Sequence, residues 1–446
     1  EPTASSSMRV RGYTSLNAGT SPLYILDGAP VSSDVFTSLN PNDIENVTVL
    51  KDASATAVFG VRGANGVIIV TTRRGTEGKT KISVNSSVGV QMPTRILKMA
   101  DSYTYALLRN EIIKNDNPNA TEADMVFDNY ALERFRLNDE PIMYPNIDWR
   151  RYMLNKASVQ TQHNVNVSGG TKDVKYFISV GFLYQDGLLK QFDGMDYNNN
   201  YKFKRYNYRA NLDFAATKTT TIKVGIGGRV GDKNEPYVND SQNSIWTLIN
   251  QSTPFCSPGI VDGKLLFTPE ERFNNKINLG NSVIQKVYGT GYKRRINNVM
   301  NLDLLINQKL DFITKGLSAE IKAAYNTDYY FQKDRRGYVE TYKPFYQSSL
   351  ENPGMAYNDP AFNKNIVYKI EGENRPLQYD ESKGRGRDWY MEMSLRYNRK
   401  FGNHNVSGLF LYNQSKKYYP SQWVGIPSAY IGFVGRMTYD YKSRYM

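Results

Sequence analysis

Three evenly spaced glycines are the residues of this chain with the clearest potential for chemistry. Gly60, Gly63 and Gly66 lie in the stretch NPNDIENVTVLKDASATAVFGVRGANGVIIVTTRRG, residues 40–75. Glycine-rich turns can bind phosphate, but a nucleotide-binding turn follows a strand and opens a helix. Here the glycines follow a predicted short helix and open a strand, and no Walker-type lysine comes after them. The spacing therefore does not favour a phosphate site.

The same stretch instead predicts a small α+β unit. A strand over 44–50 runs into Asp52, which can cap a helix over 53–59, and Gly60 would end that helix. The glycines would supply backbone angles that are closed to other residues. We expect the sheet to contain Val47, Val49, Val67, Ile69 and Thr71, and its rim to carry the cations Arg62, Arg73 and Arg74.

Few other residues offer catalysis or metal binding. His163 and His404, the two histidines of the chain, fall in predicted strand or turn positions, so no Ser-His pair can be assigned. Cys256 is the one cysteine, which rules out an internal disulfide and a cysteine metal site. No calcium loop with the required spacing is present. We therefore expect that the protein is not an enzyme and that it binds no cofactor and no metal.

Composition favours a strand-rich protein that does not bind nucleic acid. The chain of 446 residues carries 34 Tyr and 19 Phe at a mean hydropathy of −0.56, which suits strands joined by polar loops. Its formal charge of +13 is spread over strand ends and loops rather than concentrated in a basic helix or arm. No run approaches ~18 apolar residues, so no membrane-spanning helix is predicted.

From residue 79 onward, apolar and polar residues alternate over long stretches. In WYMEMSLRYN, residues 389–398, the odd-numbered side chains are apolar or aromatic, and most of the even-numbered ones are polar. A period of two residues predicts strands with one apolar and one polar face. The ten predicted strands are 79–91, 159–169, 174–186, 204–216, 219–231, 296–309, 316–332, 388–401, 404–416 and 429–442.

The connections between these strands alternate between short and long. The short ones are 169–173, 217–218, 311–315 and 402–403, and the long ones are 92–158, 187–203, 232–295, 333–387 and 417–428. One rim of tight turns and one rim of long loops is typical of an outer-membrane barrel and unusual in a soluble sandwich.

Two segments of the long connections have predictable features. Residues 98–112 predict a surface helix with Asp101 or Ser102 at its start and Ala100, Tyr103, Leu107 and Leu108 near helical spacing. Residues 359–388 are polar and charged, which indicates a mobile external loop.

The opening stretch closely resembles the plug of the SusC/RagA family of TonB-dependent outer-membrane transporters. The segments that carry the resemblance are VRGYTSLNAGTSPLYILDG (10–28) and residues 39–75, and KTKISVNSSVGVQ and GFVGRMTYDYKSRYM are similar to that family's barrel. The plug-motif residues that the resemblance assigns are Arg11, Gly12, Asp27, Gly28, Asn40, Pro41, Asp43, Lys51, Asp52, Gly60, Arg62, Gly63, Asn65 and Gly66.

The resemblance implies a mainly β fold, a transmembrane antiparallel β-barrel with a small α+β plug inside its lumen. Such a barrel has twenty-two strands in the full protein, of which about ten are present here. We expect residues 1–78 to be the C-terminal part of the plug domain. Residues 79–446 would form the N-terminal part of the barrel with long extracellular loops, so the chain looks like a partial one.

The resemblance also implies a function and partners. The expected function is TonB-dependent active import of an oligosaccharide or peptide across the bacterial outer membrane. The expected partners are a SusD-like lipoprotein lid, the TonB–ExbB–ExbD complex, outer-membrane lipid and lipopolysaccharide, and a second SusC–SusD pair to form a dimer. The alternative is a surface receptor or adhesin that binds without transport, but such a protein would not need a plug.

Two sets of residues are candidates for holding the plug and the ligand. Lumen residues Glu320, Glu392 and Arg396 are expected to hydrogen-bond the plug. Aromatic residues on the long loops could stack on a ligand, although the interfacial aromatic girdle of a barrel is the alternative for each. These candidates are Trp246, Tyr346, Tyr419 and Trp423. The substrate itself stays open.

Overall fold

The computed structural model describes residues 8–10, 21–52, 62–238, 244–273, 275–279, 282–418 and 427–442. Three regions, each with a sheet, make up this part of the chain. A four-stranded sheet near the N-terminus, the plug unit, lies against the polar face of a ten-stranded sheet, the wall. The long connections of the wall build a third region, the loop layer.

The plug unit is a mixed sheet in the order β2-β1-β4-β3. Strand β1 forms a hairpin with β2 and runs parallel to β4, while β3 and β4 are antiparallel. Tyr24, Leu26, Ile68 and Val70 pack with Val299 of the wall into a small apolar cluster. The elements are β1 (Leu23–Leu26), β2 (Ala29–Val31), α1 (Ser33–Ser38), β3 (Ile44–Leu50) and β4 (Val67–Thr72), with a 3₁₀ turn over Pro41–Asp43.

The five sheet residues expected from sequence do lie in β3 and β4, but they do not all face a core. Val47 and Val49 of the outer strand β3 are exposed. On β4 the buried face consists of Ile68, Val70 and Thr72, whereas Thr71 is exposed. The predicted helix over 53–59 lies outside the described residues.

The wall is an antiparallel meander in which each strand pairs with its neighbours in sequence among the ten. All ten predicted strands are confirmed, and most boundaries agree within a few residues. The strands are β5 (Gly78–Gln91), β6 (Ser158–Gly170), β7 (Val174–Asp186), β8 (Lys202–Ala215), β9 (Thr220–Pro236), β12 (Gly291–Lys309), β13 (Leu317–Tyr338), β16 (Arg375–Phe401), β17 (His404–Tyr418) and β18 (Ser428–Tyr441).

The two faces of the wall differ in polarity as the alternation predicts. Paired positions across successive strands give an outer row of Ile82, Val167, Ile178, Ala210, Ile226, Leu302 and Tyr325. The buried inner positions are mostly polar, among them Asn164, Ser179, Asn207, Asn301 and Asn326. An apolar exterior and a polar lumen are typical of a β-barrel in an outer membrane.

Residues 359–388 are not the mobile loop that the sequence predicted. They contain β15 (Ile366–Glu371) and the first part of β16, which has 27 residues and pairs with β13 along most of its length. Cross-strand ion pairs such as Arg336–Asp380, at 3.1 Å, join the polar upper halves of these strands. Where both faces of a strand meet water, the apolar–polar alternation disappears, and the pattern can no longer distinguish strand from loop.

The loop layer has a sheet, helices and an apolar core of its own. Its sheet has the order β10-β11-β14-β15, with β10 (Gly259–Val261), β11 (Lys264–Leu266) and β14 (Thr341–Tyr346). The helices are α2 (Ser102–Asp116), α3 (Asn129–Leu137), α4 (Trp149–Met153), α5 (Ile245–Gln251), α6 (Val283–Val287) and α7 (Gln347–Glu351), with 3₁₀ turns over Glu122–Asp124 and Glu270–Phe273. Their buried side chains form the largest apolar cluster among the described residues.

Helix α2 confirms the predicted surface helix, but its buried face is not the predicted one. Asp101 caps it, since its Oδ1 accepts a hydrogen bond of 2.7 Å from the Thr104 amide. The buried positions are Ser102, Ala106 and Asn110, while Leu107 and Leu108 are exposed. Asn110 is buried because its side chain donates to the Phe127 carbonyl at 2.6 Å.

In the part of the chain that the structure describes, no helix is long and apolar enough to cross a membrane.

Candidate functional site

The plug unit meets the wall at the tight turn between β1 and β2. Asp27 and Gly28 both have positive φ, 48° and 87°, as a two-residue hairpin turn of the Asp-Gly type requires. Asp27 accepts hydrogen bonds from the Thr72 amide at 2.9 Å and the Thr72 hydroxyl at 2.7 Å, which ties this turn to β4. The turn thus presents one carboxylate and one bare backbone carbonyl to the lumen.

Arg209 of β8 is the wall partner of Asp27. Its Nη1 lies 3.7 Å from Asp27 Oδ2, and the two side chains are 2% and 3% exposed. Its Nη2 donates to Asn301 of β12 at 3.2 Å. A buried ion pair is costly to break from one side, because the remaining charge stays desolvated.

Lys322 of β13 reaches the second residue of the turn. Its Nζ donates to the Gly28 carbonyl at 3.3 Å and lies 3.4 Å from Glu392 of β16. Glu392 also accepts from the Tyr390 hydroxyl at 2.5 Å. The positive φ of 87° favours glycine at residue 28, where a Cβ would lie 2.8 Å from Lys322 Nζ and would push that flexible side chain aside.

Arg74, just after β4, makes a second ionic contact with the wall. Its guanidinium bonds Asp213 of β8 and lies 3.7 Å from Asp303 of β12. Within the described residues, the buried oxygens Asp303 Oδ1 and Asn211 Oδ1 have no hydrogen-bond partner. The contact is therefore ionic and incompletely satisfied, unlike a packed apolar interface.

Asparagine side chains of the wall bind the plug unit through amide hydrogen bonds. Asn40 caps the turn over Pro41–Asp43, accepting from the Asn42 amide at 3.1 Å, and its Nδ2 donates to Asn164 of β6 at 2.6 Å. Asn207 donates to the Ser38 carbonyl at 3.0 Å.

Asn211, on β8 like Asn207, continues this row of amides. Its Nδ2 bonds the Arg73 carbonyl at 2.7 Å and the Thr72 hydroxyl at 2.8 Å. Bonds of this kind are individually weak and exchangeable with water.

Glycines on the inner face of the wall make room for these contacts, and sequence reasoning missed them. A Cβ on Gly181 of β7 would lie 2.6 Å from Asn164 Oδ1 and 2.7 Å from Asn40 Nδ2. On β9, a Cβ on Gly225 would lie 2.4 Å from Asp303 Oδ1 and one on Gly227 would lie 2.6 Å from Arg209 Nη2. Glycine at inward positions of an alternating strand, as in VGIGGRVG, is the signal that could have revealed them.

Asp43 is buried beneath the plug sheet. Burial raises the pKa of its carboxyl, and the nearby Arg209 and Arg73 guanidinium groups oppose that shift. Its carbonyl accepts from the Arg73 amide at 2.9 Å. Asp43 therefore joins the 3₁₀ turn to the end of β4.

The glycine-rich part of the motif builds a turn and no phosphate cradle. Gly66 has φ of 90°, its amide donates to the Gly63 carbonyl at 3.0 Å, and a Cβ there would lie 2.7 Å from Val10. Asn65 donates to the Ser21 carbonyl at 3.5 Å. Gly63 and Gly66 thus shape a turn that leads directly into β4, and the role of Gly60 stays a prediction.

The other motif residues differ in their placement. Arg62 lies over the Tyr430 ring of β18, 5.4 Å from its centroid, and its Nη1 is 3.5 Å from Ser415 Oγ of β17. Lys51 and Asp52 are exposed at the end of β3. Arg11, Gly12 and Gly60 lie outside the described residues.

Of the three lumen residues expected to hold the plug, one is connected to it. Glu392 reaches the plug unit through Lys322, as described above. Glu320 and Arg396 instead form an ion pair of 3.1 Å with each other inside the wall, and Asn307 lies 3.4 Å from Glu320. The predicted partner of those two residues, the plug, is therefore wrong. Each pairs with the other because they lie on neighbouring strands of the wall.

The four aromatic candidates for ligand contact separate into three groups. Trp246 of α5 is 48% exposed and lines a cavity at the loop end of the wall. Tyr346 is 3% exposed, with its ring against Tyr357 and Phe362, so it belongs to the core of the loop layer and not to a ligand surface. Tyr419 and Trp423 lie outside the described residues.

Tyr346 also has a polar reason to be buried. Its hydroxyl bonds Glu140, whose carboxylate pairs with Lys364 at 3.0 Å. Burial and the adjacent carboxylate raise the pKa of Tyr346 well above its usual range. The Arg272 guanidinium lies 5.9 Å from the ring centroid. The residue is a neutral hydrogen-bond donor inside the loop layer.

The described residues contain no cluster of three or more histidine, cysteine or acidic side chains that could hold a metal ion.

A small mixed unit, inserted by polar contacts into the concave side of a lipid-facing antiparallel wall, defines a plugged β-barrel of the bacterial outer membrane. Residues 1–67 match the family described as TonB-dependent Receptor Plug Domain.

Curated relatives agree with this class. The chain is 27% identical over 413 residues, 92% of its length, to TonB-dependent receptor P26 of Formosa agariphila, and 28% identical over 279 residues to TonB-dependent receptor SusC of Bacteroides thetaiotaomicron. It spans about a third of the first relative (35%) and a quarter of the second (26%). The chain thus corresponds to one portion of such receptors.

Solved structures show the same fold. The structure of the RagAB peptide transporter superposes with a TM-score of 0.61 over 98% of this chain and 49% of that one, at 18% identity. The RagAB peptide importer in its 'closed-closed' state gives a TM-score of 0.62. The plug match and the SusC relative thus support the resemblance of the chain to SusC/RagA-like TonB-dependent receptors, and the RagAB structures show that the fold is shared. The boundary between plug and barrel at residues 78 and 79 stays a prediction.

Proposed function

We propose that the protein containing this chain imports a nutrient across the outer membrane, driven by TonB, with a SusD-like lipoprotein over the extracellular mouth. The relatives support this proposal because they are named as TonB-dependent receptors, and one as SusC. The solved RagAB structures are of a peptide transporter, so a peptide is one candidate substrate class beside the oligosaccharide that the sequence resemblance implies.

The polar attachment of the plug unit is the observation that carries the proposal. A transporter that opens under an applied force needs a plug that blocks the lumen at rest and can leave it. Direct contacts at the Asp27–Gly28 turn and around Asn40 are hydrogen bonds and ion pairs. Water can replace each such bond at a net cost of about 0.5–1.5 kcal/mol, whereas moving an apolar interface exposes its whole area to water.

A disulfide between plug and wall tests whether the plug has to move. In the full-length receptor, Asn40→Cys with Asn164→Cys puts two thiols at facing positions of plug and wall, where Asn40 Nδ2 now donates to Asn164 Oδ1 at 2.6 Å. We expect the oxidised double variant to lose TonB-dependent uptake and to regain it on addition of a reductant. Each single variant serves as the control. Import that persists in the oxidised protein would contradict a moving plug.

Genetics separates import from adhesion. Growth of the host on oligosaccharide mixtures and on peptide mixtures should be compared for the wild type, a strain lacking this receptor and a strain lacking TonB. Import predicts that growth on one nutrient class fails in both deletion strains. Surface binding of that nutrient with unchanged growth in either deletion strain would favour a receptor or adhesin instead.

A further inference from the structure

The outward side chains of β16 change from apolar to cationic along the strand. Trp389 pairs with Tyr325 of β13, so the odd-numbered residues of β16 continue the lipid-facing row of the wall. From 389 to 397 these outward residues are Trp, Met, Met, Leu and Tyr, and the run has the length of ~9–11 residues that a membrane-crossing strand needs. The next outward residues towards the loop layer are Arg387, Arg385 and Lys383.

The two arginines lie at the level of the lipid headgroups. Trp and Tyr mark the boundary between hydrocarbon and headgroups in outer-membrane barrels. Successive outward residues of a strand rise by about 5 Å at the usual tilt of about 40°. Arg387 and Arg385 therefore lie about 5 and 10 Å beyond Trp389, on the headgroup side of that boundary.

Lys416 of β17 adds a fourth cation beside them. It pairs with Trp389 in the sheet, and its Nζ lies 5.7 Å from the centroid of the indole ring. The Arg387 guanidinium lies over the Tyr418 ring, 4.6 Å from its centroid. An aromatic face attracts a cation and holds it in place but does not neutralise its charge. We call Lys383, Arg385, Arg387 and Lys416 the rim cluster.

Most of the positive charge of the rim cluster has no partner in the protein. One outward acid, Glu381, lies 3.9 Å from Lys383. The other three cations of the cluster form no ion pair with a carboxylate of the described residues, and both arginines are exposed. The residue of β13 that pairs with Arg385 is Tyr329, which is uncharged. The cluster therefore presents a net positive charge to whatever surrounds the wall at this level.

The rim cluster does not lie on an open edge of the sheet. Strand β16 pairs with β13 on one side and with β17 on the other, and both pairings include Arg387. Further strands of a longer barrel would add to the sheet at β5 and β18, which are its two edges. Such strands would leave the rim cluster uncovered, so its natural surroundings are the lipids of the membrane.

The opposite end of β16 shows a different arrangement on the same face. Its one outward cation is Arg399, whose guanidinium lies over the Phe401 ring, 4.7 Å from the centroid. Arg399 Nη1 also lies 3.4 Å from Thr314 Oγ1. The outward cations of this strand are thus concentrated at the rim of the long loops, which is the rim at the outer leaflet. Phosphate groups of the outer-leaflet glycolipid supply the complementary charge there.

We propose that the rim cluster binds a phosphate group of lipopolysaccharide, the glycolipid of the outer leaflet. Guanidinium groups bind phosphate oxygens through paired N–H donors, and a group of basic residues at a membrane surface attracts anionic lipid. The inference goes beyond import, since it assigns a specific lipid site to the outer surface of the wall and holds whether or not the receptor transports a nutrient.

Binding of lipopolysaccharide to the purified full-length receptor in a neutral detergent tests the site. Arg387→Gln should weaken binding about fivefold, and the double variant with Arg385→Gln about 30-fold, because each lost charge removes a similar share of the attraction. Arg399→Gln is the matched control for the single variant, since it removes an outward cation of the same strand at the other rim. It should bind like the wild type. Heat-modified migration in gels shows that each barrel is folded.

Two further probes separate the lipid from free phosphate. Dephosphorylated lipopolysaccharide should bind the wild type as weakly as the intact lipid binds the double variant, and inorganic phosphate at equal concentration should not compete. Full binding of the dephosphorylated lipid would overturn the proposal, and so would equal losses in Arg387→Gln and Arg399→Gln. Displacement by inorganic phosphate would assign the cluster to a free anion instead of a lipid. Unchanged lipid binding with lost self-association in the double variant would make a second copy of the receptor the occupant.

Discussion

The loop layer packs an apolar core of its own, whereas the plug unit is attached to the wall by ion pairs and amide hydrogen bonds. Phe127, Phe255 and Phe273 meet ring to ring in the loop layer, with centroids 4.9–5.6 Å apart. Among the described residues, the small apolar clusters of the plug unit reach the wall at Val299 and, through Ala29, at Ala324 and Tyr390.

This difference implies that the loop layer keeps its structure while the plug unit can move relative to the wall. Removing one buried aromatic ring costs about 3–5 kcal/mol, while one hydrogen bond is worth about 0.5–1.5 kcal/mol net. The loop layer above the membrane is thus the more stable structure, and the plug unit is the part that can be displaced.

The largest effect is expected in the loop layer. Phe255→Ala should destabilise it by about 3–5 kcal/mol, because the ring is fully buried against Tyr105 and Phe127. Thermal unfolding and limited proteolysis of the loops on whole cells would measure this loss. Phe312→Ala, at a ring 78% exposed in a short turn, should change stability by less than about 0.5 kcal/mol. If Phe255→Ala resisted protease as well as the wild type does, the apolar core would not be what stabilises the loop layer.

The next effect concerns the ionic contact of the plug. Asp27→Ala removes the ion-pair partner at 3.7 Å from the buried Arg209, at a cost of about 3 kcal/mol. We expect a leak that raises single-channel conductance and sensitivity to large antibiotics. Asp27→Asn should leak less, since asparagine tolerates positive φ.

Asp232→Ala is the matched control for the Asp27 variants. It removes an acid from an ion pair of 2.7 Å with Arg294, away from the plug contacts, so it should not leak. A leak as large as that of Asp27→Ala would show that the position of the acid does not matter.

A smaller effect is expected from the inner glycines. Gly181→Ala forces Asn40 and Asn164 apart and should cost about 1 kcal/mol through their lost hydrogen bond. Hydrogen exchange should accelerate in residues 38–44 and not in the loop layer. Gly408→Ala, where a Cβ would meet nothing within 4 Å, is the control. Unchanged exchange in both variants would mean that this amide pair does not hold the plug.

An effect that is absent at neutral pH comes last, a pH dependence of the loop layer above about pH 8.5. Burial raises the pKa of the Cys256 thiol to about 11. The folded state therefore holds its proton more tightly than the unfolded chain, whose thiol has a pKa of about 8.5. That contribution to stability is complete below about pH 8.5 and is lost as the pH rises towards the folded pKa.

Thiol labelling and unfolding would check this pH dependence. Native protein should react slowly with a maleimide at neutral pH. Cys256→Ala should show a weaker decline in loop-layer stability between about pH 8.5 and 11 than the wild type. Rapid labelling of the native protein would contradict the buried position of Cys256.

The strands of the wall were predictable because lipid and lumen impose opposite demands on their two faces. The alternation in residues 174–186 predicts both ends of β7 correctly. Residues 375–386 gave no such signal, because that part of β16 lies where both faces meet water.

The contacts of the site were largely not predictable. Asn40 and Asn164 are 124 residues apart, and their meeting depends on the register of a sheet that local patterns do not determine. The Asp-Gly turn and the left-handed Gly66 could be anticipated, since they follow from local backbone angles. Tyr346 was misplaced because polar loop sequences gave no sign that the loops share a core.

The length of β16 has a mechanical consequence. At about 3.3 Å per residue its 27 residues extend roughly 90 Å, and a membrane crossing uses only ~9–11 of them. The antiparallel pair of β13 and β16 therefore extends above the lipid headgroups. The same two strands carry Lys322 and Glu392 beside Gly28. Apart from a bulge between Arg336 and Tyr338 near its upper end, this strand pair keeps one register, so a force applied to the extension is transmitted along the backbone ladder to the plug contact at Gly28.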